Sequence, residues 1–113
     1  MTKISILSDT HGLHDHVRVE PSDLIVHCGD CTNDAGRASL RNFLQWFERQ
    51  PSSIKILVAG NHDWAFEKWP DLARAMVAEV APSVIYLQDS GTEALGLKIF
   101  GSPVQPRFMD WAF

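Results

Sequence analysis

Three stretches of the chain repeat one arrangement, a short β-rich run closed by a polar or glycine turn. Lys3 to Ser8 alternates polar and apolar positions and then meets Asp9-Thr10-His11-Gly12. Asp23 to Cys28 is mostly apolar and meets Gly29-Asp30, and Ile54 to Ala59 meets Gly60-Asn61-His62-Asp63. Short Ile- and Val-rich runs bounded by turn residues predict buried strands. Between the second and third runs, Leu40, Phe43, Leu44 and Phe47 recur at helical spacing, so one apolar face predicts a helix that Pro51 ends. A second helix is expected to start at Pro70-Asp71, with Leu72, Ala75, Met76 and Val80 inward. Val84 to Gln88 then reads as a strand, and Thr92 to Leu95 with Leu97 to Phe100 as a hairpin turning at Gly96. Alternating strands and helices imply an α/β fold with parallel strands and right-handed crossovers.

Composition narrows this picture without changing it. A chain of 113 residues, 45% of them apolar, holds at most a single domain with a modest core and is too apolar for disorder. A net charge of −4 excludes an extended nucleic-acid surface, which needs a basic stripe. It does not exclude a phosphate bound through a cation. The first residues meet an acid, Asp9, too early for a secretory leader, and no apolar run is long enough for a membrane. Two cysteines, Cys28 and Cys31, are too few for a disulfide scaffold, so a reduced, cytoplasmic setting is expected.

The chemistry-bearing residues collect where the strands end. Ligands of open α/β sheets bind outside the carboxyl ends of the strands. Strand one delivers Asp9 and His11, which in an extended chain would point the same way; strand two delivers Asp30; strand three delivers Asn61, His62 and Asp63. Mixed oxygen and imidazole donors suit Zn, Mn, Fe or Mg. Asp30, on the middle segment, is the natural carboxylate to be shared by two ions. A lone Asp-x-His or Gly-Asp is usually a cap or a turn; all three in order, each closing a predicted strand, is specific.

Asp9-x-His11, Gly29-Asp30 and Gly60-Asn61-His62-Asp63 resemble the first three blocks of the calcineurin-like metallophosphoesterases. The stretches 23–32, 54–64, 85–90 and 101–113 are similar to one subgroup, the brain-type metallophosphoesterase-domain proteins and their bacterial relatives. The resemblance implies the N-terminal half of an α/β/β/α sandwich and a pair of divalent ions. It implies that Asp9 and His11 bind the first ion, that Asp30 bridges both and that Asn61 binds the second. His62 would face the substrate as donor to the phosphate or acid to the leaving oxygen. Asp63 stands where the subgroup usually has Glu, and orienting a neighbour is one role open to it. The implied reaction is phosphoester hydrolysis, in a phosphodiesterase by preference, with a metal-bridging hydroxide as nucleophile and nucleotides among the candidate substrates.

The family pattern continues with a Gly-His and a Gly-His-x-His block, and neither is present; the last histidine is His62. The chain also closes on the apolar Phe108 to Phe113. The expectation is therefore an incomplete domain, inactive alone, served by a complementary C-terminal polypeptide that supplies the missing histidines. Two other readings compete: an inactive truncated scaffold, and a thiol redox protein built on Cys28-x-x-Cys31. Elsewhere the plainer readings prevail. His14 and His16 read as a solvated loop, His27 as a core histidine with its hydrogen bond satisfied, Arg107 as surface, and Trp46, Trp64, Trp69 and Trp111 as packing, with Trp64 near enough to His62 to line a pocket.

Overall fold

The structure is a computed structural model that describes residues 1–113. Strands β1 (Ile4–Leu7), β2 (Leu24–His27), β3 (Ile54–Leu57) and β4 (Val84–Tyr86) form one parallel sheet in that order. Parallel neighbours need crossovers. Helix α1 (Arg37–Glu48) joins β2 to β3, and α2 (Trp64–Lys68) with α3 (Pro70–Val80) joins β3 to β4. A single 3-10 turn, His14–His16, lies between β1 and β2.

Pleating divides each strand between two apolar layers. Ile25 and Leu57 face the helices and pack with Leu40, Phe43, Leu44, Phe47, Phe66, Met76 and Val77 in the main core. Burying a side chain of this size stabilises by about 1.5–3 kcal/mol. Leu24 and Ile56 face the other way and meet Leu87, Val26, Ile85 and Ile99 in a smaller layer. Part of that layer lies under the antiparallel hairpin of β5 (Ser90–Ala94) and β6 (Leu97–Gly101). The hairpin turns through Leu95 and Gly96, both at positive φ (54° and 76°), as a two-residue turn of the primed type demands. Gly101 lets it sit close, since a Cβ there would fall 2.6 Å from Leu87 Cβ. Over β1 the same face is open, and Ile6 is 70% exposed.

The strands, α1 and the hairpin fall where the apolar pattern puts them; each of the four sheet strands is shorter than read by one or two residues at an end, while β5 starts two residues earlier and β6 runs one residue further. Three expectations are corrected. The inward face of α3 is Ala73, Met76, Val77 and Val80, so Met76 and Val80 face inward as expected, while Leu72 and Ala75 are exposed and Ala73 and Val77 take their places. Helix α2 is too short to show a period and was not foreseen. His14 is buried against Phe43 and Trp46 rather than solvated, with Nε2 at 2.7 Å from Asn42 Oδ1, although His16 is exposed as expected. No helix is long and apolar enough to cross a membrane.

Candidate metal centre

Because β1, β2 and β3 are parallel and in register, the turns that follow them emerge side by side. Backbone bonds lock them together: Asp9 N–H to Gly29 O (2.9 Å), His11 N–H to Asp30 O (3.0 Å) and Gly12 N–H to Cys31 O (3.0 Å). Asp9, His11 and Asp30 all take left-handed backbone, with φ of 56°, 45° and 57°. The extended geometry expected for Asp9-x-His11 is therefore wrong, because β1 ends at Leu7 and the chain has already turned. The two side chains still converge, and donor atoms of Asp9, His11 and Asp30 all lie within 4.8 Å of one another.

The chemistry of this cluster suits a cation. Asn33 Nδ2 donates to the His11 carbonyl (2.9 Å), which turns its Oδ1 toward His11 Nδ1 at 2.7 Å. Nδ1 must then carry the ring proton, and Nε2 presents a lone pair. That lone pair sits 3.6 Å from Asp9 Oδ1 and 3.8 Å from Asp30 Oδ2, an arrangement of electron-rich atoms that a cation or a proton relieves. The carboxylates differ in surroundings. The Ser8 hydroxyl on Asp9 holds that carboxyl below the usual range, whereas burial pushes Asp30 up.

Asp30 is fixed from the third turn. Its Oδ1 accepts the His62 N–H at 3.0 Å. Gly29 and Gly60 allow this approach: a Cβ on Gly29, at φ 113°, would lie 2.8 Å from Gly60 Cα, and one on Gly60 would lie 2.5 Å from Asp30 N. Asn61 is half-buried on the same turn, and its carbonyl accepts the Ala112 N–H (3.0 Å). The His62 ring meets that of His11 edge-on at 5.2 Å. On its other side it meets Trp111, at 4.3 Å, which in turn meets Phe108. Trp64, the tryptophan expected beside His62, instead opens α2 beneath the Lys68 ammonium.

His27 behaves as the core histidine expected. Gly29 N–H donates to its Nδ1 (3.2 Å), so Nε2 carries the proton and donates to Thr10 Oγ1 (3.0 Å). Burial pulls its pKa down to about 4. The ring thus joins the turn of Asp9 and His11 to that of Asp30. The thiol alternative finds no matching site. Cys31 is wholly buried with Sγ toward Asp63, and burial raises both thiols where a redox pair needs at least one lowered.

Sequence reasoning left Asp63 with an orienting role among several open to it and did not pick out Asn33 at all. For Asp63 a signal existed, an acid directly after His62 in a strand-closing turn; for Asn33, a carboxamide three residues beyond Asp30, none that separates it from an ordinary loop residue. No concavity reaches the cluster. The three present lie on the hairpin, between α1 and α3, and between Gly12 and α1, so the donors stand on an open rim.

A family model described as calcineurin-like phosphoesterase matches residues 2–103. The chain is similar to human metallophosphoesterase domain-containing protein 1, with 30% identity over 99% of this chain and 40% of the relative. It is 33% identical to a UPF0046 protein of Caenorhabditis elegans over 92% of this chain and 39% of that one. A probable rhamnogalacturonate lyase C of Emericella nidulans is 30% identical over the whole chain, which matches 11% of its length. The chain thus spans about 40% of the length of the first two relatives.

Proposed function

Since the chain belongs to the calcineurin-like phosphoesterase family, we propose that it carries the first part of a metal-dependent phosphoesterase centre, one that holds two divalent ions and acts on phosphodiesters. The observation that carries this reading is the His11 Nε2 lone pair set between the carboxylates of Asp9 and Asp30. Asp9 and His11 would hold one ion, Asp30 would be shared, and Asn61 would serve the other. Mn, Zn, Fe and Mg all accept such donors. Divalent ions there supply Lewis acidity toward phosphoryl oxygens and lower the pKa of water, which is the chemistry phosphoester hydrolysis requires.

The remaining roles belong to the chain itself. Asn33 fixes the tautomer and tilt of His11, as supporting residues of metal sites commonly do. His62, anchored through its own N–H to Asp30 and flanked by Trp111, is placed to donate to a phosphoryl oxygen or to protonate the departing one. Four donors on an open rim fall short of two spheres of about four to six ligands each. The other donors are proposed to come from polypeptide outside residues 1–113, in keeping with the longer relatives.

The test is hydrolysis of bis(p-nitrophenyl) phosphate by residues 1–113 together with the polypeptide proposed to supply the other donors, stripped with chelator and reloaded with Mn²⁺ or Zn²⁺. Activity that disappears on stripping, returns on reloading and falls in His62→Ala at unchanged metal content supports the reading. Activity indifferent to chelation, or loss of metal in His62→Ala, defeats it.

A further inference from the structure

One buried group is left without a task by the proposed centre. Asp63 is 0% exposed, and both of its carboxylate oxygens point back into the protein. Oδ2 accepts the N–H groups of Asp30 (2.8 Å), Gly60 (2.8 Å) and Cys31 (3.3 Å). Oδ1 accepts the N–H and the hydroxyl of Thr32, each at 2.8 Å. Every oxygen lone pair is thus committed to a donor, and none faces the Asp9, His11 and Asp30 cluster. Asp63 is therefore not a ligand. A buried carboxylate is costly unless hydrogen-bonded, and this one is bonded more fully than a capping residue needs.

The donors themselves are informative. Three consecutive residues, Asp30, Cys31 and Thr32, aim N–H groups at one carboxylate. An L residue in left-handed backbone persists only where its surroundings hold it there, and Asp30, at φ 57°, is the first of the three. The clasp runs both ways. Asp63 holds the Asp30 backbone, while the Asp30 carboxylate holds the His62 N–H one residue before Asp63. Oδ1 of Asp30 is occupied by that bond, which leaves Oδ2 as the oxygen turned toward His11.

We infer that Asp63 is the positioning residue of the centre: it fixes the Asp30 turn so that Oδ2 of Asp30 meets Asp9 and His11 at a distance a divalent ion can span. The inference rests on the metal-centre reading above and assigns Asp63 a part in it without direct contact with metal or substrate. An amide in its place cannot repeat the pattern. With its NH₂ on the Oδ2 side it opposes the N–H of Asp30 and of Gly60; on the Oδ1 side it opposes the N–H of Thr32.

The experiment is calorimetric titration with Mn²⁺ of the same protein used in the hydrolysis test, residues 1–113 together with the polypeptide proposed to supply the other donors, as wild type and as Asp63→Asn, at a temperature where circular dichroism reports both folded. Supporting residues of metal sites typically change affinity by about 10- to 100-fold, and Asp63→Asn is expected to weaken Mn²⁺ binding at least tenfold. A purely structural Asp63 would lower the melting temperature and leave the affinity of the folded variant unchanged, which overturns the inference. A wild type that takes up no Mn²⁺ overturns the metal-centre reading and this inference with it; binding by the wild type and equally by the folded variant overturns this inference alone. If Asp63→Asn does not fold, Thr32→Val decides, because it deletes one donor to Oδ1 and keeps the shape. It is expected to bind Mn²⁺ about threefold more weakly, and unchanged affinity counts against the proposal.

Discussion

The imidazole of His62 and the indole of Trp111 lie against each other, centroids 4.3 Å apart and planes tilted by 49°. Trp111 is 39% exposed, so part of its surface remains free beside His62 and Phe108. A flat leaving group or base would find its stacking surface there, worth about 1–3 kcal/mol. In the proposed complete centre, Trp111→Ala is expected to raise KM for an aryl phosphodiester roughly tenfold and Trp111→Phe much less, with kcat near wild type. Steady-state kinetics on aryl and alkyl phosphodiesters checks this, and an equal loss on both would remove the stacking role.

Asp30 and Asp9 are not equivalent. The Asp30 side chain is mostly buried, pinned by the His62 N–H and proposed to serve both ions; that of Asp9 is largely exposed and held by Ser8. Asp30→Asn is expected to lower turnover of the proposed complete centre roughly a hundredfold, at the upper end even of supporting residues, and Asp9→Asn clearly less. Metal content by mass spectrometry should fall further in Asp30→Asn. The reverse order would place the shared oxygen on Asp9.

His27 makes stability depend on pH. Its folded pKa of about 4 lies below the 6.5 of a free imidazole, because burial and the Gly29 N–H on Nδ1 both disfavour the proton. The unfolded chain therefore binds the proton first as pH falls. The contribution is fully present above about pH 6.5, is lost on the way down to about 4, and amounts to roughly 3 kcal/mol. Urea midpoints between pH 7.5 and 4.5 should fall accordingly, and His27→Gln should flatten that slope. A slope unchanged by the substitution would assign it to other groups.

The two cysteines should prove dispensable to catalysis. Cys31 fills the core beside Asp63 and Cys28 is exposed with its thiol pushed up by its surroundings. Iodoacetamide at pH 7.5 is expected to label Cys28 slowly and Cys31 only after denaturation. Cys28→Ser/Cys31→Ser should keep phosphoesterase activity within about tenfold, some loss being expected next to the proposed shared ligand. Thiol reductase activity that vanishes in this variant would revive the redox reading.

What could be read without coordinates was whatever a period or a turn residue announces. The Leu40, Phe43, Leu44 and Phe47 stripe gave α1 its buried face, and the glycine-containing turns placed Asp9, His11 and Asp30 at neighbouring strand ends. What escaped depends on contacts distant in sequence. His14 is buried because Asn42 and Trp46, on α1, close over it. Trp111 reaches His62 because Ala112 bonds back to Asn61. On α3 the sequence leads to Met76 and Val80 but not to Ala73 and Val77 in place of Leu72 and Ala75, since both pairs continue an apolar spacing and only the docking angle of the helix chooses between them.

The last prediction concerns residues 1–113 taken alone. Asp9, His11, Asp30 and Asn61 are the four proposed donors, and the proposed two-ion centre would call for roughly twice that number. They stand on an open rim, and hydrolysis in such a site depends on excluding bulk water and holding the substrate in line. Leu24, Ile56 and Leu87 are buried, but the same sheet face is open over β1, where Ile6 is 70% exposed, and Phe100, next to the inward Ile99 on β6, is 70% exposed on the hairpin's outer side. Apolar surface of this kind favours association. The isolated stretch, loaded with Mn²⁺ or Zn²⁺, is therefore expected to bind metal weakly, to self-associate at high concentration, and to fall far short of the usual enzyme range of about 1–1,000 turnovers per second on an aryl phosphodiester. Ile6→Lys should reduce the self-association seen by light scattering without restoring activity, because it adds no ligand. Adding in trans a polypeptide that carries the proposed remaining donors should restore turnover. Full turnover by residues 1–113, in a sample shown by intact mass to hold no other chain, would mean that the centre closes with donors other than those proposed.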